Sequence, residues 1–361
     1  PQHMTSPRRL TAAILGTGRF APAHIDAVRA TGLADVVAIG SSDPDRARRV
    51  ADERGVPGAA AAADVLRDPS VDVVHIVGTN DVHAQTALRA IAAGMHVVIE
   101  KPIALSAREA NAIVEAAAVR GVRGMTTFTY WGFASVQQMR ARIRDGAIGQ
   151  PHLVHGTYLQ DWLAAPTDYD WRCDSDLGGP SRALADIGTH WFSLVEFVTD
   201  ARIEAIMADF GRVFDRRGGS EAAAVSNEDT ACVLIRLSNG AHGALVVSQV
   251  SHGHDNHVRV EISGSDGTLA WDIERGSELQ EHRLPSAVAG SVAPPDEATP
   301  TRPAPARDDQ LASAVNALVG AFYRDVAGVP TKERVRYSTL VDGARAVAIV
   351  DAALRSHESG A

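Results

Sequence analysis

Short apolar runs recur through the first third of the chain, each followed by a stretch of helical composition. Leu10 to Leu15 predicts a first strand and Pro22 to Thr31 a helix; Val36 to Ile39 and Asp43 to Arg54 repeat the pair. Val71 to Val77, His83 to Ala93 and then Val97 to Ile99 continue it. The runs are apolar throughout rather than alternating, which suits strands covered on both faces. Repeated strand–helix units predict a parallel, doubly wound sheet. Ser106 to Arg120 reads as a further helix, with Ser106 as N-cap, Glu109 three residues on and Gly121 as its stop. These elements predict one α/β domain over residues 8–126.

The pattern then changes. Asp186 to Val198 is helical in composition, but Arg202 to Phe210, Thr230 to Leu237, Gly243 to Ser251 and Val258 to Ile262 favour strands. Asn239-Gly240 and Asp266-Gly267 are hairpin turns by composition. Antiparallel strands with a few helices predict an α+β domain over 127–358. Pro285 to Arg307, rich in Pro and Ala, reads as a long loop, and Gln310 to Val326 and Thr339 to His357 as closing helices.

Bulk properties narrow the classes. The 361 residues fit two domains, and 45% apolar with 22% charged residues is ordinary for a globular protein. A net charge of -9 disfavours nucleic acid or an anionic membrane as partner. Cys173 and Cys232 are far apart and have no metal-ligand spacing, so free thiols in a reducing, cytoplasmic setting are expected. No signal peptide, transmembrane run or lipidation motif is read. Pro1-Gln2-His3-Met4 reads as a cloning remnant ahead of a natural start.

The first strand breaks into Gly16-Thr17-Gly18-Arg19-Phe20-Ala21, a Gly-x-Gly-x-x-Ala turn leading into a helix. That order suits a pyrophosphate: one glycine turns tightly, a second admits the diphosphate to the backbone, and a helix N-terminus faces it. The first domain therefore reads as a Rossmann, dinucleotide-binding domain. Glu100-Lys101-Pro102 follows another strand, so Lys101 falls where such sheets bind ligands; the plainer alternative is a surface ion pair. Asp186 and His190 are four apart, on one face if helical, with Gly188 between them. A His beside a carboxylate suits acid–base work, and an unrelated Asp and His is the plainer alternative.

With these residues the chain resembles the family of sugar and inositol dehydrogenases that includes glucose-fructose oxidoreductase and inositol 2-dehydrogenase. The shared pieces are Gly16-x-Gly18-x-x-Ala21, Thr79-Asn80-x-x-His83, Gly94-x-His96-Val97, Glu100-Lys101-Pro102, Trp171-Arg172, Asp186-x-Gly188-x-His190 and Gly264-Ser265-x-Gly267. The resemblance implies a Rossmann domain followed by an α+β domain with a large open, mainly antiparallel sheet. That sheet would serve a homodimer or homotetramer. It implies an NAD(P)-dependent oxidoreductase acting on a secondary alcohol of a sugar, anhydrosugar or inositol. It assigns catalysis to Lys101, Asp186 and His190, with His190 as base and Lys101 steadying the developing oxyanion. Tyr130, Gln160 and Trp162 would line the substrate pocket, though Trp162 also reads as core and Tyr130 as a strand-end residue. Gly16, Gly18, Arg19, Phe20, Gly78, Thr79, Asn80, His83, Glu100, Trp171 and Arg172 would surround the dinucleotide; Asn80 also reads as a plain N-cap. Trp131, Ala134 and Gly178-Gly179-Pro180-Ser181 depart from the family pattern and bear on the substrate. Relatives that keep and recycle a bound cofactor, lyase-like relatives and a non-catalytic dinucleotide sensor are the competing readings.

The acid that grips the ribose 2′-OH in NAD-preferring relatives would fall at Ser41. Ser41-Ser42 offers hydroxyls instead, and Arg46 one turn on suits a 2′-phosphate, which favours NADP over NAD. Asp43 reads as a cap for the helix at Pro44. His252, His254 and His257 cluster in sequence, but with no third ligand apparent no metal site is expected.

Overall fold

The computed structural model describes residues 8–220, 222–275, 278–283, 307–330 and 335–360. Its first half is a six-stranded sheet of β1 (Leu10–Leu15), β2 (Ala34–Ser41), β3 (Gly58–Ala61), β4 (Val73–Ile76), β5 (His96–Ile99) and β6 (Gly124–Thr126). The order is β3-β2-β1-β4-β5-β6 and every pairing is parallel. The strand order reverses at β1/β4, the point beyond which such sheets bind ligands. Helices α1 (Ala21–Ala30), α2 (Pro44–Arg54), α3 (Ala62–Val65), α4 (Asn80–Ala92) and α5 (Ala107–Arg120) connect the strands. The strands are short and buried on both faces because helices cover both, so β5 is apolar after His96 and β4 is interrupted only by the buried His75. Ser106 caps α5 through the Glu109 amide and left-handed Gly121 ends it.

The second half is built on a seven-stranded sheet in the order β15-β14-β13-β7-β12-β11-β8. These strands are β7 (Pro151–Leu159), β8 (Ile203–Gly211), β11 (Thr230–Leu237), β12 (His242–Ser248), β13 (His257–Gly264), β14 (Thr268–Asp272) and β15 (Gln280–His282). All neighbours are antiparallel except β7 and β12. Asn239-Gly240 joins β11 to β12 and Asp266-Gly267 joins β13 to β14. One face carries Val233, Ile235, Leu245 and Val247 inward, while Leu234, Val246 and Met207 on the other remain 56%, 43% and 55% exposed. A two-stranded ribbon, β9 (Arg216–Arg217) and β10 (Ala223–Ala224), sits apart from it.

Helices α6 (Ala134–Arg144) and α8 (Thr189–Thr199) cover the inner side, α7 (Ser175–Gly178) packs against α4, α9 (Arg307–Val326) returns to α1, and α10 (Leu340–Ser359) packs on α5, α8 and β8. The Thr126 amide donates to the Ser338 carbonyl at 3.0 Å, so the last segment extends the edge at β6. The sequence reading missed β3, β6, β7, β14 and α6. It also placed 186–198 in one α-helix, whereas Leu184–Gly188 is a π-turn opening α8. Within that turn a Cβ on Gly188 would lie 2.6 Å from the Leu184 side chain, which tucks against the bare backbone. Of the expected loop from Pro285, 285–306 lies outside the described residues, and Arg307 opens α9. Among the described residues, no helix is long and apolar enough to cross a membrane.

Candidate active site

The glycine turn closes over the end of β4. Gly16 adopts φ +129°, and a Cβ on it would lie 2.7 Å from the Val77 carbonyl carbon, so no side chain fits. A Cβ on Gly18 would come only to 3.9 Å of its neighbour Val77. The backbone before α1 is therefore bare on its outer side, a cradle suited to a diphosphate at a helix N-terminus. Arg19 and Phe20 are exposed beside it. At the end of β2 the Ser41 hydroxyl accepts from the Asp43 amide at 3.2 Å, and Ser42 is exposed. The Asp43 carboxylate accepts from the Arg46 amide at 3.0 Å and so caps α2. The Arg46 guanidinium donates to the Thr17 carbonyl at 3.4 Å, reaching over the glycine turn.

After β4, Gly78 and Thr79 lead into α4. Thr79 is the N-cap residue and Asn80 the first helical one, so the plain cap reading of Asn80 does not hold. Its amide instead donates to the Gly178 carbonyl at 3.0 Å, tying the two domains together. His83 is buried between the Pro102 carbonyl at 2.8 Å and the Gly78 carbonyl at 3.1 Å. Burial holds its pKa below the usual value despite these carbonyls. It braces the turn at Lys101-Pro102, a cis peptide, from beneath.

Beyond β5 the surface ion pair between Glu100 and Lys101 is not formed. The Lys101 ammonium turns to the second domain and donates to Asp186 Oδ1 at 2.6 Å and to the Asp186 carbonyl at 2.9 Å. Arg172 Nε lies 3.3 Å from the same carboxylate oxygen, and the Gln249 amide donates to the other at 2.9 Å. The Arg172 guanidinium also sits over the Trp171 ring, 4.3 Å from its centroid. Burial alone would raise the Asp186 pKa; the Lys101 and Arg172 charges outweigh it and hold the carboxyl well below the usual range.

His190 follows at the start of α8, packed edge-on against Tyr130 and Phe128 with centroids 5.1 and 5.8 Å away. Its Nδ1 is buried with no hydrogen-bond partner among the described residues. Burial first and the Lys101 ammonium second push its pKa down to about 3, against the pull of Asp186 and Glu100. The site thus places a neutral imidazole beside an ammonium already neutralised by a carboxylate.

A polar wall lies next to it. Tyr130 and Tyr158 share a hydroxyl–hydroxyl bond of 2.6 Å, and the Asn256 amide donates to Tyr130 at 3.0 Å. Gln160 donates to Asn256 Oδ1 at 2.9 Å and accepts from Trp162 Nε1 at 2.5 Å. Trp162 is 36% exposed, which rules out the core reading, and Tyr130 is buried in the wall rather than capping a strand. Trp131 stacks on Phe197 at 4.1 Å, in the core.

Behind Glu100 runs a buried chain that the sequence did not reveal. His24 Nε2 lies 2.9 Å from the Glu100 carboxylate, its Nδ1 lies 2.8 Å from His75 Nδ1, and His75 Nε2 lies 2.9 Å from the Tyr323 hydroxyl. Burial would raise the Glu100 pKa, but His24 and Lys101 bring it down to about 2. Gln249 and Asn256 were missed as well, each one polar residue beside a strand end, and Tyr158, in the same stretch as Gln160 and Trp162, was not assigned to the site. The histidine cluster also gains what the sequence lacked, since Glu274 stands opposite His257 where β14 ends.

The comparisons with known proteins bear on the family and the fold. A family model described as an oxidoreductase family with an NAD-binding Rossmann fold matches residues 10–128, and one for the GFO/IDH/MocA C-terminal domain matches 136–270. A levoglucosan dehydrogenase from Pseudarthrobacter phenanthrenivorans is 32% identical over 232 residues, 60% of this chain and 59% of that protein. The match therefore spans less than two thirds of that relative. An inositol 2-dehydrogenase from Acidothermus cellulolyticus is 28% identical over 372 residues, 99% of this chain and 95% of that one. A solved levoglucosan dehydrogenase in complex with NADH and levoglucosan superposes with a TM-score of 0.86 at 26% identity, covering 98% of both chains.

Proposed function

This chain belongs to the GFO/IDH/MocA family of NAD-binding oxidoreductases, and from that premise we propose that it oxidises a secondary alcohol of a cyclic polyol, or reduces the corresponding ketone. The polyol class is a sugar, anhydrosugar or inositol. The observation that carries the reading is the Lys101–Asp186 bond beside His190, which joins residues 85 apart in sequence at the ligand end of the Rossmann sheet.

The bare Gly16–Gly18 turn and the α1 N-terminus fit a dinucleotide, and a bound nicotinamide would supply the hydride acceptor. The residues of the chain do the rest. The neutral His190 ring accepts the hydroxyl proton as the C–H bond breaks. The Lys101 ammonium donates to the same oxygen and lowers the cost of its developing charge. Asp186, fixed by Lys101, Arg172 and Gln249, orients the ammonium and offers an acceptor to a neighbouring hydroxyl. Gln160 and Asn256 both donate and accept, as polyol recognition requires. The half-exposed Trp162 presents an aromatic face at the rim.

For the cofactor, Ser41 with Arg46 over the glycine turn, and Asp43 spent as a helix cap, supports a preference for NADP over NAD. The open apolar face around Leu234, Met207 and Val246 supports a homo-oligomer formed through this sheet. Two unpaired cysteines, Cys173 buried and Cys232 exposed, support a reducing, cytoplasmic setting. A panel of monosaccharides, anhydrosugars and inositols assayed by nicotinamide absorbance with NADP and NAD tests the reading. Turnover of at least one cyclic polyol is expected, with the higher kcat/KM on NADP. No turnover of any polyol with either dinucleotide would overturn the activity, and a large preference for NAD would overturn only the cofactor assignment.

A further inference from the structure

The loop between β12 and β13 carries two histidines that the proposed reaction does not use. His257 opens β13 and His254 precedes it by one turn of loop, their ring centroids 5.0 Å apart. The register pairs Arg259 with Asp272, which brings His257 opposite Glu274 just past β14. His257 Nδ1 lies 3.0 Å from Glu274 Oε2, and His254 Nδ1 lies 3.9 Å from Glu274 Oε1. Both Nδ1 atoms are buried and lack a hydrogen-bond partner among the described residues. Two ring nitrogens thus converge on one carboxylate, with Asp272 Oδ1 also 3.8 Å from His257 Nδ1.

We propose that His254, His257 and Glu274 bind one divalent transition-metal ion of the zinc type. All three donor atoms lie within 4.8 Å of one another. Donors around a tetrahedral ion of that size stand roughly 3.4 Å apart, given bonds of about 2.0–2.2 Å. Small rotations of the side chains close that gap, and Glu274, nearly half exposed, is free to make most of the movement. Two imidazoles and a carboxylate are donors suited to zinc or cobalt rather than to calcium or magnesium. The local charge agrees: Asp272 and Glu274 face the rings, against the single guanidinium of Arg259 at 3.7 Å from Asp272. Asp272 itself is engaged by the Glu274 amide at 2.9 Å, so it steadies the ligand loop rather than adding a donor. Three protein ligands leave a fourth position for water.

The sequence concealed this because the third donor comes 17 residues after His257, across a hairpin. The metal would clip the loop to the end of β14. Asn256, between the two histidines, is the residue that bonds Tyr130, Tyr158 and Gln160 in the polar wall. The site is thus a staple for one side of that wall, and metal binding by it does not depend on the oxidoreductase reading.

The test uses full-length, tag-free protein stripped with a chelator. Zn2+ is titrated by equilibrium dialysis with the bound metal counted by mass spectrometry, and Co2+ serves as a visible-absorption probe of coordination. One equivalent of Zn2+, a higher Tm on adding it, and cobalt ligand-field bands are expected. His254→Asn with His257→Asn, and separately Glu274→Gln, should weaken binding about tenfold to a hundredfold or more. Glu274→Gln alters a half-exposed side chain and keeps the test valid if the double variant misfolds. Binding below one equivalent, or binding equal in wild type and Glu274→Gln, overturns the site.

Discussion

His190 is neutral across the working range because burial and the Lys101 ammonium both penalise its cation, with its pKa held at about 3. The ring is therefore ready to take a proton from an alcohol at any pH above that. Replacing it as His190→Asn should cut kcat about 10²–10⁴-fold while leaving dinucleotide binding intact, read by steady-state rates and by fluorescence titration. Near-full turnover would mean that another group is the base. Lys101→Met leaves the Asp186 carboxylate to Arg172 and Gln249 and removes the charge that adds to burial in lowering the His190 pKa. A loss of about 10²–10³-fold is expected, with the acid limb of the residual pH–rate profile moved to higher pH. At this scale the sequence was informative where residues sat in a motif: Lys101, Asp186 and His190 do meet in space. It was silent on Gln249, Asn256 and His24, whose roles arise only from what faces them across the fold.

The first sheet was legible because its strands are apolar runs closed by glycine or proline punctuation. β3, made of Gly58-Ala59-Ala60-Ala61, has no strand preference of its own and exists because β2 offers it an edge. β7 escaped for a similar reason: its partners β12 and β13 arrive some ninety residues later, and its His and Gly residues blur the alternation. The turn between β1 and α1 is the element whose backbone is least replaceable. Gly16→Ala would add a Cβ 2.7 Å from the Val77 carbonyl at φ +129°. The turn must then shift, and dinucleotide affinity should fall roughly tenfold to a hundredfold, with circular dichroism unchanged. Calorimetric titration showing wild-type affinity would mean that the turn does not carry the cofactor. At the end of β2, Ser41→Asp should swing the kcat/KM ratio toward NAD by roughly tenfold or more, since a carboxylate there repels a 2′-phosphate.

Across the whole molecule His75, His190, Asp186 and Glu100 act in one direction, opposed by Glu228, whose carboxyl burial pushes up. Burial lowers the pKa of His75 and of His190, so as pH drops below about 6.5 the unfolded chain takes up protons that the folded one refuses. Asp186 and Glu100, lowered by their cationic neighbours, add further loss as pH falls below about 4. Stability should therefore fall steadily with acid, by about 1.4 kcal/mol per pH unit for each such histidine. Thermal melts of His190→Asn between pH 6 and 4 should show a shallower decline than wild type; parallel declines would refute the buried-imidazole account. The exposed sheet face makes a separate prediction. Leu234→Arg, in the middle of that face, should yield a smaller particle by light scattering without unfolding the protomer. The chain Glu100–His24–His75–Tyr323 has one more consequence. If His24 holds a proton on both nitrogens, it gives at both ends, His75 gives from Nε2, and the phenol receives. If it holds one, on Nε2, it still gives to Glu100, but the two links beyond it reverse and the phenol gives. A single hydroxyl in α9 is thus a needle on a dial, its direction fixed by one proton stored behind the first helix.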